Sequence, residues 1–328
     1  MRYLESRNTD PAFNLALEQY VFDTLAAEDE FFLLWQNRDS VILGRHQCPA
    51  GEINRPYVEA HGIPVVRRLS GGGAVYHDLG NLNYTFVRTA CEPERLDFRL
   101  FCQPVLEALR ELGLDAEADG RNDMTLEGKK FSGTAQYLRD GRVMHHGTLL
   151  FDTDLGKMAA ALGAPGGKMA SKGIRSVPSR VTNLRPHLPQ PVTLEEFWSL
   201  LRGRIAGGRM APYVLTQADL RAVEAIQRER YASWMWNWGQ SPDYRLQKTR
   251  TIPGVGTLRL QMEVEEGRIA AYATDGDYFG TRPCGELARR LRGVPLERGA
   301  LTDALASVPL EEFYCGLDRA ELVRLMLA

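Results

Sequence analysis

From Asp10-Pro11 onward, the apolar residues Phe13, Leu17, Val21 and Leu25 recur at every fourth position. That spacing predicts an amphipathic helix with proline in its first turn. Two compact apolar runs, FFLLWQN (31–37) and SVILGRH (40–46), predict strands separated by a charged turn. PYVEAHG (56–62) predicts a short helix closed by Gly62. VVRRL (65–69), AVYH (74–77) and LNYTFVR (82–88) read as three more strands, with the glycines in their connections. Over 97–112 the stripe Phe98, Phe101, Val105, Leu109, Leu112 predicts a helix. The segment 124–152 is strand-rich, with Asp140-Gly141 as a hairpin turn between SGTAQYLR and VMHHGTLLF. A loop rich in Gly, Pro and Lys fills 163–191, and helices are expected over 193–206 and 216–231. Beyond Pro242, YRLQKTRTI, GTLRLQMEVEEG and RIAAYATDG predict three short antiparallel strands. Helices near 283–291, 298–306 and 317–327 follow.

Helices and strands in uneven blocks indicate α+β rather than a regularly alternating doubly wound sheet. The change of pattern divides the chain into a large domain, 1–245, and a small accessory domain, 246–328. Composition adds exclusions. With 40 basic and 42 acidic residues the formal charge is −2, which argues against general nucleic-acid binding. The five cysteines are odd in number and none forms a C-x-x-C pair. Neither a disulfide framework nor a zinc cluster is expected, and a reducing compartment is the default. The N-terminus lacks a signal-peptide pattern, and no apolar run approaches the roughly 18 residues a membrane span requires. The expectation is a cytoplasmic protein, with no nucleic-acid or membrane partner.

Several segments carry chemistry. The first is RRLSGGGAVYHD (67–78). Three consecutive glycines lose much backbone entropy on folding. They make sense where a backbone or ligand approaches closely and N–H groups face an anion or carbonyl. A glycine-rich hairpin with solvated arginines is the plain alternative. The stretch is neither a Walker A loop nor a dinucleotide fingerprint. In KKFSGTA (129–135) a lysine precedes a small polar segment, where its ammonium would act as a point charge on a phosphate or carboxylate. Two solvent-facing hairpin lysines are the alternative. In HHGTLLF (145–151) strand alternation lets at most one histidine face a site, so the two are a poor metal pair. Between Asp154 and Glu195 there is no acidic residue, yet there are Lys157, Lys168, Lys172, Arg175, Arg180 and Arg185. A purely positive loop suits closure over a nucleotide phosphate. Asn122-Asp123 is either ordinary turn chemistry or the start of a strand whose aspartate helps hold Mg²⁺. Trp234, Trp236 and Trp238 read as packing.

Taken together, RRLSGGGAVYHDLGNLNYTF (67–86), GRNDM (120–124), KKFSGTA, HHGTLLF, KMASKGIRSVPSRVTNL (168–184) and SWMWNWGQSPDY (233–244) resemble the lipoate–protein ligases. The resemblance spans essentially the whole chain, and the segments fall in the family's order. It implies a biotin/lipoate ligase-like fold, a mixed sheet flanked by helices and related to the class II synthetase core. It also implies two half-reactions. Lipoate or octanoate attacks the α-phosphate of ATP, and a lysine of a lipoyl domain then takes the acyl group from the adenylate. By resemblance Lys130 is the catalytic residue. Arg68, Ser70, Gly71, Gly72 and Gly73 would line the acyl and phosphate pocket, and Val75, Tyr76 and His77 would meet the adenine. Asn81 and Asn83 would lie alongside. Asp123 would stand near the phosphates and Mg²⁺, His146 and Thr148 by the acyl channel, and Lys172 in the closing loop. The implied acceptors are the lipoyl domains of 2-oxoacid dehydrogenase E2 subunits and the glycine cleavage H protein, served by a monomer. Related octanoyltransferases and amidotransferases use a cysteine and no ATP. A binding regulator on the same fold is a third reading.

Overall fold

The structure, a computed structural model, describes residues 1–89, 98–119, 122–163, 168–171 and 181–327. In chain order the elements are β1 (Arg2–Glu5), α1 (Pro11–Asp23), β2 (Phe31–Trp35), β3 (Ser40–Leu43), α2 (Pro49–Glu52), α3 (Arg55–Ala60), β4 (Val65–Arg67), β5 (Val75–His77) and β6 (Asn81–Thr89). Then come α4 (Phe98–Glu111), β7 (Ala116–Asp119), β8 (Asp123–Leu126), β9 (Lys129–Arg139), β10 (Arg142–Leu150), α5 (Leu155–Leu162), β11 (Lys168–Ser171), α6 (Leu194–Ile205), β12 (Ala211–Pro212) and α7 (Gln217–Ile226). The last are β13 (Tyr244–Ile252), β14 (Gly256–Glu265), β15 (Arg268–Gly276), α8 (Cys284–Leu291), α9 (Arg298–Leu305), α10 (Leu310–Phe313) and α11 (Arg319–Leu327). None of the described helices is long and apolar enough to cross a membrane.

The chain forms two compact units. The first comprises 1–45, 64–159 and 176–233. Its mixed eight-stranded sheet runs β12-β1-β2-β6-β10-β9-β8-β7, and a second, three-stranded sheet runs β4-β3-β5. This is the expected α+β architecture. Although 31–37 and 40–46 are consecutive, β2 and β3 belong to different sheets. One face of the large sheet carries Phe32, Leu34, Leu82, Tyr84 and Phe86 and packs under α4 and α6, with Phe101, Val105, Leu109, Phe197 and Leu201. The other face is polar along its middle and meets α1. The Asp10 carboxylate caps α1 by accepting the amides of Ala12 and Phe13, and Pro11 occupies the first turn. The helix stops at Asp23, before the predicted Leu25. Its fourfold spacing implied one wet side, yet every residue from Pro11 to Phe22 is buried, Asn14, Glu18 and Gln19 included. The sheet lies on one side of α1 and α7 on another.

The hairpin prediction holds: β9 and β10 pair antiparallel from Arg139↔Arg142. Asp140 (φ 51°) and Gly141 (φ 69°) form the turn, both in the left-handed region a type I′ turn requires. The predicted 216–231 helix continues past α7 as a π-helical turn over Gln227–Tyr231.

The second unit comprises 46–63, 160–175 and 234–328. Its sheet runs β11-β13-β14-β15, and its core joins Leu246, Leu258, Leu260, Met262 and Val264 to Leu287, Leu291, Leu301, Leu305 and Leu322. The three predicted strands and the helices after them are all present. The strands β1, β7, β11 and β12 and the helices α2, α5 and α10 had not been predicted; most are too short to show a period.

Candidate active site

The glycine-rich segment turns between β4 and β5, directly over Gly44. A methyl group at Gly44 would overlap the Gly72 carbonyl oxygen, lie 3.0 Å from its carbon and 3.3 Å from Nη2 of Arg68. Gly72 itself has φ 89°, a conformation a side chain rarely adopts. Arg68 holds the turn from inside. Its Nε donates to Ser70 Oγ (2.9 Å), its Nη1 to the Ile42 carbonyl (3.2 Å), and its Nη2 to the carbonyls of Gly71 (2.6 Å) and Gly73 (2.8 Å). Burial pushes the guanidinium down to about 10, opposed by the charge of Glu18 and assisted by that of Arg67. It stays protonated at neutral pH. Tying the carbonyls to Arg68 sets the geometry of the loop's peptide planes, the arrangement an anion-binding loop needs.

From Ser70 a buried chain of polar contacts runs into the sheet. Ser70 Oγ lies 2.6 Å from Nε2 of His146, whose Nδ1 lies 3.0 Å from Oε1 of Glu18 on α1. That oxygen also accepts Thr85 Oγ1 (2.5 Å), which accepts the indole N–H of Trp35 (2.8 Å). The two histidines of β10 divide as strand alternation requires. His145 stacks on Phe101 in the core, centroids 5.1 Å apart, and burial lowers it to about 3. His146 faces the polar side.

On that polar side, counting partners among the described residues, three predicted residues keep unused hydrogen-bonding capacity. Asn37 Nδ2 donates to His77 Nδ1 (3.1 Å), which assigns the ring proton to Nε2, a buried atom with no partner. Burial, with the charge of Arg68, lowers His77 to about 3, so it is neutral. Asn81 Nδ2 donates to Asn83 Oδ1 (2.9 Å), leaving the Asn81 oxygen and the Asn83 amide nitrogen buried and unpartnered. Orphaned buried polar atoms cost about 1–3 kcal/mol each and mark a place where a ligand's polar groups fit. β5 is an edge of its sheet, the kind of strand whose outer row of backbone groups, here of Val75, Tyr76 and His77, can meet a planar base. The Tyr76 side chain is itself buried.

Lys130 reaches this face through an irregularity. β8 and β9 pair Asp123↔Gly133 and Met124↔Ser132, then Thr125↔Lys130, so Phe131 is an extra residue, a β-bulge. In a regular strand positions 130 and 133 point to opposite faces. The bulge puts Lys130, Gly133 and Asp123 on one face and sends Phe131 into the core. Lys130 Nζ lies 2.8 Å from Asp123 Oδ1. It passes over Gly133, where a methyl group would stand only 3.2 Å from Cε and Nζ. The Gly133 amide donates to Thr148 Oγ1 (3.1 Å). The segment after the positive loop is fastened to the same lysine: Thr182 N–H donates to the Lys130 carbonyl (2.8 Å).

Thus Arg68, Ser70, the three glycines, His77, Asn81, Asn83 and His146 gather about the polar layer, and Lys130, Asp123 and Thr148 about Gly133. Arg68 braces the loop from behind. Lys172, with most of the positive loop, and Cys91 lie outside the described residues. No three His, Cys, Asp or Glu side chains gather as a metal site among the described residues. Asp123, about one-third exposed, fits a cation held mainly by phosphate oxygens with one protein carboxylate. Glu18, Asn37 and Gly44 were missed by the sequence reading. A charged residue directly beside Leu17 of the apolar stripe was the one signal available for Glu18.

The family described as lipoyl protein ligase A/B catalytic domain matches residues 10–206, and that described as bacterial lipoate protein ligase C-terminus matches 241–326. A lipoate-protein ligase of Bacillus subtilis is 40% identical over 99% of this chain and all of its own length. A lipoate-protein ligase A solved with ATP superposes with a TM-score of 0.60 at 26% identity, covering 72% of this chain and 97% of that one. The bipartite lipoate protein ligase of Thermoplasma acidophilum, studied with its E2 lipoyl domain, gives 0.60 at 26% identity, covering 72% and 95%.

Proposed function

Because the chain belongs to the lipoyl protein ligase A/B catalytic family and also carries the lipoate protein ligase C-terminal domain, we infer that it is an ATP-dependent lipoate–protein ligase. The observation that carries the reading is the bulge at Phe131, which brings the Lys130 ammonium to the face bearing Asp123, Gly133 and Thr148. In the first half-reaction a carboxylate oxygen of lipoate or octanoate attacks the α-phosphorus of ATP and pyrophosphate leaves. In the second, the lysine amine of a lipoyl domain attacks the acyl carbonyl, and the acyl–phosphate bond breaks to release AMP.

Lys130 exchanges Asp123 for the α-phosphate and acyl oxygens, where charge develops in both steps, so its fixed positive charge lowers both barriers. The amides of Gly71, Gly72 and Gly73 receive phosphate oxygens. Val75 to His77 offer the open strand edge to adenine, and Asn81 and Asn83 satisfy their spare atoms on the nucleotide. His146 and Thr148 border the acyl chain; the part expected of Lys172 falls outside the described residues. Asp123 would hold Mg²⁺ together with the phosphates, adding positive charge there. The functional division is 1–245 for adenylation and 246–328 as accessory domain. The acceptors are lipoyl domains, those of E2 subunits and of the H protein, met by a cytoplasmic monomer.

Among the described residues, Cys102 gives the cysteine-based transferase no support. Cys102 lies on the core face, 3.9 Å from His145, on the opposite side of the sheet from Lys130. The test is pyrophosphate release from ATP and Mg²⁺ with lipoate or octanoate, followed by addition of an apo lipoyl domain. Acid-dependent release followed by lipoylation is expected. Acyl transfer only from an acylated carrier, without ATP, would overturn the reading.

A further inference from the structure

The buried chain that leaves the glycine-rich turn ends on a residue with no role in the two half-reactions above. Glu18 is 2% exposed and projects from the middle of α1. Ionised carboxylates are almost never so buried unless their oxygens are occupied. Both are close to His146 Nδ1 (3.0 and 3.3 Å), and Oε1 also accepts from Thr85.

One proton assignment satisfies every member. Glu18 only accepts, so His146 Nδ1 carries the hydrogen and donates to it. His146 Nε2 then has a lone pair and accepts the hydroxyl hydrogen of Ser70 (2.6 Å), and Ser70 Oγ accepts from Arg68 Nε (2.9 Å). Every hydrogen bond in the series points the same way, from Arg68 to Glu18. The far end of Arg68 holds the Gly71 and Gly73 carbonyls. The carboxylate is also the counter-charge of that guanidinium, since Glu18 is the nearby charge that favours its protonated form.

We propose that Glu18 is a positioning residue, which sets the conformation of the nucleotide-facing turn 70–73 through His146, Ser70 and Arg68. The inference rests on the ligase reading. Glu18 touches neither reacting atom. Its contribution is preorganisation: with the series intact, the amides of the turn stand ready for phosphate before ATP arrives, and binding need not order them. A carboxamide at position 18 has nearly the same shape but no charge. It removes the compensation for Arg68 and places an N–H where an acceptor is required, at Thr85 or at His146.

The test compares wild type with Glu18→Gln, Glu18→Asp and Thr85→Val in ATP–pyrophosphate exchange with lipoate, after circular dichroism and thermal melting show each to be folded. The expected result for Glu18→Gln is a KM for ATP raised about tenfold or more, as lost preorganisation predicts, with kcat changed less. Glu18→Asp, which keeps the charge, should recover part of that loss. Thr85→Val removes a donor to Glu18 while leaving the series to Ser70 intact, so it should lower the melting temperature but keep the wild-type KM. A folded Glu18→Gln with wild-type KM overturns the proposal. So does a KM increase shared equally by Thr85→Val, which would make Glu18 merely structural. Absence of exchange in the wild type would refute the ligase reading instead.

Discussion

Gly44 lies outside every segment that pointed to chemistry, yet one added methyl group there should disable the site. The methyl of Gly44→Ala would overlap the Gly72 carbonyl oxygen and crowd Arg68 Nη2 at 3.3 Å. Restoring ordinary contact distances requires the turn to rise on the order of 1 Å. Arg68 Nη2 now bonds the carbonyls of Gly71 and Gly73 at 2.6 and 2.8 Å, and that shift breaks or stretches both. Hydrogen bonds to a charged group contribute about 1.5–3 kcal/mol each. Because the two share one donor group they do not add fully, and a loss on the order of 3 kcal/mol is expected. The catalytic consequence is of similar size, because a 1 Å misplacement of binding groups costs about 100-fold, or roughly 2.7 kcal/mol. Urea unfolding and pyrophosphate release, measured on the same preparation, provide the assay. Wild-type stability together with wild-type kcat/KM would refute the claim that Gly44 is the floor of the turn.

Lys130→Ala should stay folded, since the side chain is about one-quarter exposed, and should lose at least about 100-fold in both half-reactions. Near-normal adenylate formation would remove it from the mechanism. Lys130→Arg should not restore activity, because the chain runs so close over Gly133 that a methyl group there would stand 3.2 Å from Cε and Nζ, and a planar guanidinium is bulkier than an ammonium and presents its charge differently. Cys102→Ala should keep both half-reactions within about twofold, as a buried packing residue away from the chemistry would; loss of transfer alone would revive a cysteine mechanism. His77 and His145 are held neutral to about pH 3 in the fold, whereas unfolded histidines protonate near 6.5. Between those values the unfolded chain binds more protons. Stability should therefore be complete above about pH 6.5 and fall toward pH 3, by up to roughly 1.4 kcal/mol per unit per histidine. Urea midpoints that do not change between pH 7 and 4.5, or a slope undiminished in His145→Gln, would contradict this.

Local chemistry explains what was legible in the sequence. Asp10-Pro11 ahead of a fourfold repeat is a complete helix-start signal, and Asp140-Gly141 supplies the two left-handed residues of a tight hairpin. Alternation alone separated His145 from His146. What the sequence withheld depends on distant neighbours. α1 reads as amphipathic, and only the packing of sheet and α7 around it shows that Glu18 is interior. Arg68 reads as a ligand-facing cation because its charge is visible and its bonds to Gly71 and Gly73 are not. Gly44 had no local mark, since the constraint on it comes from a residue 28 positions later, Gly72, crossing above it.

The bulge at Phe131 has a consequence for how such a chain can vary. β9 carries two phases of facing, one on each side of that residue, and Lys130, the proposed catalytic lysine, belongs to the phase set by the short side. Deleting Phe131 would bring Lys130 within two positions of Gly133, and in a regular strand residues two apart share a face. Lys130 would therefore keep the ligand side, and the loss would fall on the core that Phe131 fills. Straightening the strand with all its residues present would do the opposite and turn Lys130 to the oily side. The three-position spacing between this lysine and its glycine works only while the bulge persists, so a change that removes the bulge without removing a residue should cost activity even in a protein that still folds.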